Sequence, residues 1–501
     1  MTTPIEPWVY AWPQSVAAGE SVAIHAAGPA CEAELEIARV GAEREIVFST
    51  KLHLVAHEVP VDASARGCGW PAACTLEIPA TWRSGYYEVA LRTNVAAWHE
   101  TLAFFVVRAA VAEPGRALLV LSTNTWNAYN DFGGPNLYSG GFLNPVGGTH
   151  VSFERPLARG LLRKPEGPGS RVAVVDAPDF AMRAHVDYIL GHQFSEWVGS
   201  AGWPNWELPF VRWAEAAGYG LEYATNADLE LVPNLLEGRR LYLSVGHDEY
   251  WSWGMRDAVE RFTASGGNAA FFSGNTSYWQ VRLEDGGRTM VCYKQQLADD
   301  PVFSSEDRRR TTTIWSDRIV GRPENRMTGV SFVRGGYSRI GRNVASGSGG
   351  YLVYRPGHWI FEGTGVGYGD LVGARSVVVG YECDGCDFTM RDGLPYPTGA
   401  DGTPTELGIL ALAPAKPFDR ENALRPVMDG ELSEIELNAE RALGAHDPAT
   451  VARLAHGHAI MAVHEPGGTV FTSGCTEWAW GLATRDPVIE RITRNLLDRL
   501  S

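Results

Sequence analysis

From about residue 5 to residue 110, apolar and polar positions alternate in short runs at 21–25, 33–40, 45–49, 75–78, 86–93 and 101–107. A period of two, broken by turn residues, predicts half-buried strands, and no long helical period interrupts them. The spacing fits an immunoglobulin-like β-sandwich over residues 1–112. The pattern changes at Glu113-Pro114-Gly115, where residues 117–122 (ALLVLS) form the continuous apolar run of a strand covered on both faces. An amphipathic helix over 206–220, strands at 221–224 and 241–245, a helix over 253–264 and a strand at 268–272 follow. Strands alternating with helices predict a doubly wound parallel α/β domain with right-handed crossovers, taken here as 113–501.

Between about 281 and 443 the helical signal fades, and short strands such as 351–354 and 376–379 alternate with Gly, Asp, Pro and aromatic residues. That span reads as a β/loop-rich insertion or a lobe over the carboxyl edge of the sheet. Strands at 459–463 and 470–472 and a closing helix at 486–500 are expected to rejoin the sheet. The length alone is chain for about three domains.

The 45% hydrophobic and 20% charged content is that of a globular chain. A net charge of −16 argues against nucleic acid or an anionic membrane as partner, since both need a basic face. The opening MTTPIEPWVYAWPQS has no basic region followed by an apolar one, and no stretch of eighteen apolar residues occurs, so a cytoplasmic location is expected. Seven cysteines (Cys31, Cys68, Cys74, Cys292, Cys383, Cys386 and Cys475) are too sparse for a disulfide framework. The Cys383-x-x-Cys386 pair stands alone, without a second pair at zinc-site spacing, and reads as reduced thiols in a turn.

In an open parallel sheet, ligands collect outside the carboxyl ends of the strands. The loops expected there are 123–138, 225–228, 247–250 and 273–279. The third carries His247, Asp248 and Glu249 in a row between strand and helix. Any of them could serve locally, with Asp248 or Glu249 as a helix cap. The first loop carries Tyr129 and Tyr138. Tyrosines commonly pack, but a phenol beside a strongly charged cation such as ferric iron becomes a ligand, and Glu249 would add a hard carboxylate oxygen. Three protein oxygens leave positions open for water and a substrate carbonyl. His247 is then free as general base or oxyanion partner. Asn275 could donate an amide hydrogen bond, or serve the turn, and Glu382 is a carboxylate leaving a strand that could act as a second acid/base.

The wording of several segments resembles the large (beta) subunit of the N,N-dimethylformamidase family. These are Asn124-Thr-Trp-Asn-Ala-Tyr-Asn with Asn136-Leu-Tyr138, Ser152-Phe-Glu-Arg-Pro156, Gly246-His-Asp-Glu-Tyr-Trp251, Ser273-Gly-Asn275, His358-Trp-Ile-Phe-Glu-Gly-Thr-Gly365 and Gly380-Tyr-Glu382. The resemblance spans nearly the whole chain. It implies a glutamine-amidotransferase-like α/β domain and an amide hydrolase with mononuclear ferric iron. Tyr129, Tyr138 and Glu249 would be the ligands, His247 and Glu382 the acid/base groups, and Asn275 a substrate or water contact. The loop between the two tyrosines is much shorter than in the dimethylformamidases, and their additional N-terminal domain is not expected ahead of the sandwich. Those enzymes assemble from several subunits, so a homo-oligomer is compatible with the resemblance.

The leading expectation is therefore iron-dependent hydrolysis of a carbon–nitrogen bond in a small amide or formamide, with metal-bound water as nucleophile. One alternative is a metal-free hydrolase or transferase with His247 and Glu249 as acid/base pair, which needs a nucleophile such as Cys292 or Cys475. The other is a catalytically silent protein binding a small molecule or saccharide through its β-sandwich and 17 tryptophans.

Overall fold

The computed structural model describes residues 6–94, 99–139, 147–173, 178–340, 349–423, 427 and 431–501. Residues 1–5 of the segment read for a leader lie outside the described residues, as do 341–348, 424–426 and 428–430 of the span read as an insertion.

Nine strands form the central sheet: β1 Arg116–Leu121, β2 Gly220–Thr225, β3 Leu241–His247, β4 Asn268–Gly274, β5 Tyr351–Val353, β6 Leu371–Val372, β7 Gly408–Ala415, β8 Gly457–His464 and β9 Val470–Thr472. Their order across the sheet is β2-β1-β3-β4-β9-β8-β7-β5-β6. The run from β2 to β9 is parallel, whereas β8, β7, β5 and β6 join antiparallel. The sheet is thus mixed, where the sequence pattern led us to expect parallel strands. Residues 465–469 are the whole connection between β8 and β9, too short for a crossover, so that pair is a hairpin.

Three strands of the span read as an insertion, β5, β6 and β7, extend this sheet. β7 (GILALAPA) is apolar at nearly every position, and its buried run needs cover on both faces. Residues 376–379, expected as a strand, instead leave a short 3₁₀ turn at Ala374–Ser376, and Val377 takes a left-handed φ of 51°. The β-branched run there signals burial, since Val377, Val378 and Val379 are all interior.

Alternation along the parallel strands sorts their side chains onto two faces. Ala117, Leu119 and Leu121 of β1 and Leu243 and Val245 of β3 enter one core, with Phe210, Val211 and Ala214 of the helix Glu207–Ala216 and Ile492, Leu496 and Leu500 of the helix Pro487–Leu500. Leu118 and Val120, Tyr242 and Phe271 enter the other, with Met255 and Val259 of the helix Trp253–Ala264. Helices therefore cover both faces of the parallel half, with buried positions at the i, i+3, i+4 spacing that helix burial requires. None among the described residues is long and apolar enough to cross a membrane.

The N-terminal part builds two sheets, one of Trp8–Trp12, Ser21–Ala27 and Ala72–Glu77, the other of Ser15–Ala17, Glu100–Arg108, Gly85–Arg92, Glu32–Val40 and Arg44–His53. They share a core that includes Val9, Ile24, Leu35, Val89 and Phe105. The opposite face of the larger sheet docks on the central domain: Tyr86 stacks on Trp203 at a centroid distance of 4.1 Å, and Phe104 meets Trp126 edge-on at 5.1 Å.

Gly246, one residue before the end of β3, has a φ of +82°, and a Cβ there would lie 2.6 Å from Cβ of Trp206. Both the conformation and the space exclude a side chain. Gly246→Ala is expected to destabilise the fold by about 2 kcal/mol or more, read as a lowered urea midpoint at unchanged m-value. An unchanged midpoint would mean that the Trp206 contact is easily rearranged.

Candidate active site

Behind β1 the chain enters a short helix, Thr123–Tyr129, buried along its entire length. Buried asparagines need partners, and here they stitch the loop together. Asn124 Nδ2 donates to Tyr250 O at 3.0 Å. Asn130 donates to Pro156 O and accepts from the amides of Phe132 and Ala158. Asn136 accepts from the amides of Tyr138 and Ser139, at 2.8 and 2.9 Å, and donates to Tyr129 O. Beneath them the buried Arg155 guanidinium donates to the carbonyls of Asn127, Asn130, Phe132 and Ser152. Burial without a carboxylate partner lowers its pKa to about 10. This scaffold presents Tyr129 and Tyr138 side by side, with ring centroids 4.5 Å apart.

His247 closes β3, and the chain continues through Asp248 and Glu249 into the short strand Tyr250–Ser252. The backbone here is fixed from both sides: Glu249 N donates to Thr125 Oγ1 at 3.0 Å, and Asp248 O and Glu249 O accept from the amides of Ser277 and Trp279. The following helix is capped by Ser252, whose Oγ accepts from Met255 N, so neither Asp248 nor Glu249 does that job. Asp248 accepts from Ser244 Oγ at 2.7 Å and Asn226 Nδ2 at 3.1 Å, and burial pushes it up to about 6.

All six residues singled out in the sequence meet in one cluster. Tyr129 Oη lies 2.9 Å from Tyr138 Oη and donates to Glu249 Oε2 at 3.1 Å, while Tyr138 Oη donates to Glu249 Oε1 at 2.6 Å. On the far side, His247 Nε2 is 3.3 Å from Glu249 Oε2 and 2.6 Å from Glu382 Oε2. Asn275 Nδ2 donates to Glu382 Oε2 at 3.3 Å. Its amide comes from a turn with a left-handed φ of 49°, held by Asp384, which accepts from the amides of Asn275 and Thr276 at 2.8 and 3.1 Å.

Protonation follows from these contacts. Ser200 O sits 2.7 Å from His247 Nδ1, and a carbonyl only accepts, so Nδ1 carries a proton. The 2.6 Å contact between Nε2 and Glu382 must contain a second. Burial opposes charge on His247, but Glu382 and Glu249 override it and hold the imidazole well above its ordinary range. Burial raises Glu382, with His247 opposing, whereas His247 and Lys294 hold Glu249 low against its own burial. Burial and the Glu249 charge push both phenols far up.

The donor chemistry suits a hard, highly charged cation. The phenol and carboxylate oxygens are spaced 2.6–3.1 Å apart, as oxygens sharing one ion at roughly 2 Å would be. A neighbouring cation is what such buried phenols need to ionise. Among the described residues no cluster of three or more His, Cys, Asp and Glu is placed to hold a metal. Beside them Asn275 Oδ1 is buried without a hydrogen-bond partner among the described residues.

Sequence reasoning missed Lys294. Its Nζ lies 3.2 Å from the Tyr138 ring centroid, has no hydrogen-bond partner among the described residues, and is lowered to about 8 by burial against the pull of Glu249. No motif surrounds it. Asp384 was within reach of the pattern, two positions beyond Glu382 on the strand Glu382–Gly385 and therefore on the same face. The cysteines point elsewhere. Burial raises the Cys292 thiol to about 12, Cys383 Sγ lies 3.8 Å from Cys475 Sγ, and Cys386 belongs to a separate core from that pair. A cleft of about 810 Å³ between Arg66 and Arg288 is lined by none of the six.

Two curated relatives, both named N,N-dimethylformamidase beta subunit, come from Alcaligenes sp. and Paracoccus aminophilus. Each is 27% identical over 201 residues, 37% of this chain and 25% of the relative, so the chain spans about a quarter of the length of the curated relatives it matches. A solved Paenibacillus sp. cycloisomaltooligosaccharide glucanotransferase overlaps 56% of this chain and 50% of its own at 12% identity, with a TM-score of 0.20 that bears on neither fold nor function. The family described as N,N-dimethylformamidase beta subunit-like, C-terminal, matches residues 35–492, and the chain belongs to that family.

Proposed function

We propose that this chain hydrolyses the carbon–nitrogen bond of a small amide, with mononuclear ferric iron held by Tyr129, Tyr138 and Glu249. The observation that carries the reading is the contact of that oxygen set with a proton-holding pair, His247 Nε2 lying 3.3 Å from Glu249 and 2.6 Å from Glu382. When bound, the ion supplies Lewis acidity to a substrate carbonyl and to water.

The chain's own groups manage the protons. As the shared proton passes to Glu382 across the 2.6 Å contact, His247 Nε2 is freed to remove one from the attacking water while the carbon–oxygen bond forms, with Nδ1 anchored on Ser200 O. Glu382, holding the proton it received from His247, gives it to the departing nitrogen as the carbon–nitrogen bond breaks, and the proton taken from water stays on His247, which restores the starting pair. Asn275 Nδ2, beside both, donates to the oxygen that gains negative charge. Lys294 against the Tyr138 ring offsets the negative charge gathered on the phenol and Glu249. The relatives' name supports formamides as the first substrates to assay, and their designation as beta subunits supports an assembly of several chains.

The test is metal content and turnover in one preparation. Protein purified without added metal should carry near-stoichiometric iron with a visible phenolate-to-iron charge-transfer band, lost in Tyr129→Phe, and should release amine from a small formamide. Colourless, metal-free protein, or iron-loaded protein that binds amides without turnover, would overturn the proposal.

A further inference from the structure

A cleft of about 400 Å³ opens beside the helix Glu207–Ala216, away from the proposed active site. Its walls are apolar, formed by Pro204, Leu208, Pro209, Trp213 and Leu482, and its polar groups are mostly cationic. Lys164 lies at one end. Its ammonium donates to Ser170 O at 2.5 Å, to Val198 O at 3.4 Å and to Asn205 Oδ1, all neutral oxygens. No carboxylate lies within ion-pair reach among the described residues, and the nearest attracting one, Glu477, is bound by Arg171 and Trp206. Burial accordingly lowers Lys164 to about 7. Arg163 and Arg485 also line the cleft but are paired, with Glu88 and Glu100 and with Glu490. Arg212 lines it, is exposed, and makes no ion pair or hydrogen bond among the described residues. One carboxylate, Glu166, stands at the lip.

We propose that this cleft is a second ligand site, for a small monocarboxylate with an apolar body, its carboxylate on the Arg212 guanidinium and its body on Leu208, Pro209 and Trp213. The volume is that of a small-molecule site, and concave apolar walls with a few convergent polar groups are what such sites share. The donor supply sets the ligand's charge. All three Lys164 protons are committed, so that residue contributes its field without further bonds. Among the described lining arginines Arg212 is the one without an ion pair, and its planar fork matches one carboxylate in bidentate fashion. A phosphate would leave most of its oxygens unmatched. A neutral isostere would gain the apolar contact but leave the Arg212 guanidinium without an anion.

Isothermal titration of the full chain with 4-tert-butylbenzoate, 4-tert-butylbenzamide and acetate tests the site. The benzoate should bind, with the amide and acetate each at least about tenfold weaker. Arg212→Glu, a surface change that leaves folding intact, should weaken the benzoate by a similar factor without changing amide hydrolysis. His247→Ala should bind the benzoate like the parent, which separates this cleft from the active site. Equal binding of benzoate and benzamide, an unaffected Arg212→Glu variant, or loss of binding in His247→Ala would each overturn the proposal.

Discussion

Alanine at position 247 is expected to lower kcat for amide hydrolysis by about 10²- to 10⁴-fold, while iron content and colour stay at the parental level. The imidazole is the group placed to receive a proton from water, and its removal leaves Glu382 without its 2.6 Å partner. The three oxygens proposed as ligands keep their mutual contacts, because those run between Tyr129, Tyr138 and Glu249 alone. Single-turnover kinetics together with iron analysis on one preparation check the split. Loss of metal alongside activity would place His247 among the ligands, and an unchanged kcat would remove it from proton transfer.

Glu249→Gln is expected to have the complementary effect. The substitution preserves shape but removes the negative charge that both tyrosines and His247 face. Iron affinity should fall by more than the roughly 10- to 100-fold that follows loss of a supporting partner, and turnover should fall with it. Dialysis against a chelator followed by metal analysis reads the effect. The neighbouring Asp248→Asn provides the control. Its side chain is tied to Ser244 and Asn226, so it should lower the melting temperature while metal content stays near that of the parent. Equal iron in all three variants contradicts the division of roles.

Much of this arrangement was legible because the residues that carry it also obey local rules. Gly246 lies one residue before the end of β3, where a side chain would strike Trp206, and the alternation of β1 and β3 sorts their side chains onto two covered faces. The convergence of Tyr129 and Tyr138 rests on a short loop whose asparagines have local partners. What was hidden depends on distant neighbours. Lys294 reaches the Tyr138 ring by a turn that carries no pattern. The apolar run 376–379 looks extended because burial and β-structure select the same side chains, yet Val377 turns the chain. The places of β5, β6 and β7 in the antiparallel half depended on which strands the span 281–443 would contribute, and its mixed composition does not say.

The two tyrosines follow β1 and Glu249 follows β3, so Glu249 stands 120 and 111 residues along the chain from Tyr129 and Tyr138. No short peptide cut from this protein contains the oxygen set. It comes into being only when β1 and β3 lie side by side, through the pairing of Leu118 with Tyr242, Leu119 with Leu243 and Val120 with Ser244. An unfolded chain therefore has no local chelating motif made of these groups. Whatever free energy a cation gains on this oxygen set accrues to the folded state alone and deepens that state in proportion to the logarithm of the free cation concentration. Because the pairing is long-range, forming the oxygen set also requires the loop-closure entropy of more than a hundred residues to be overcome.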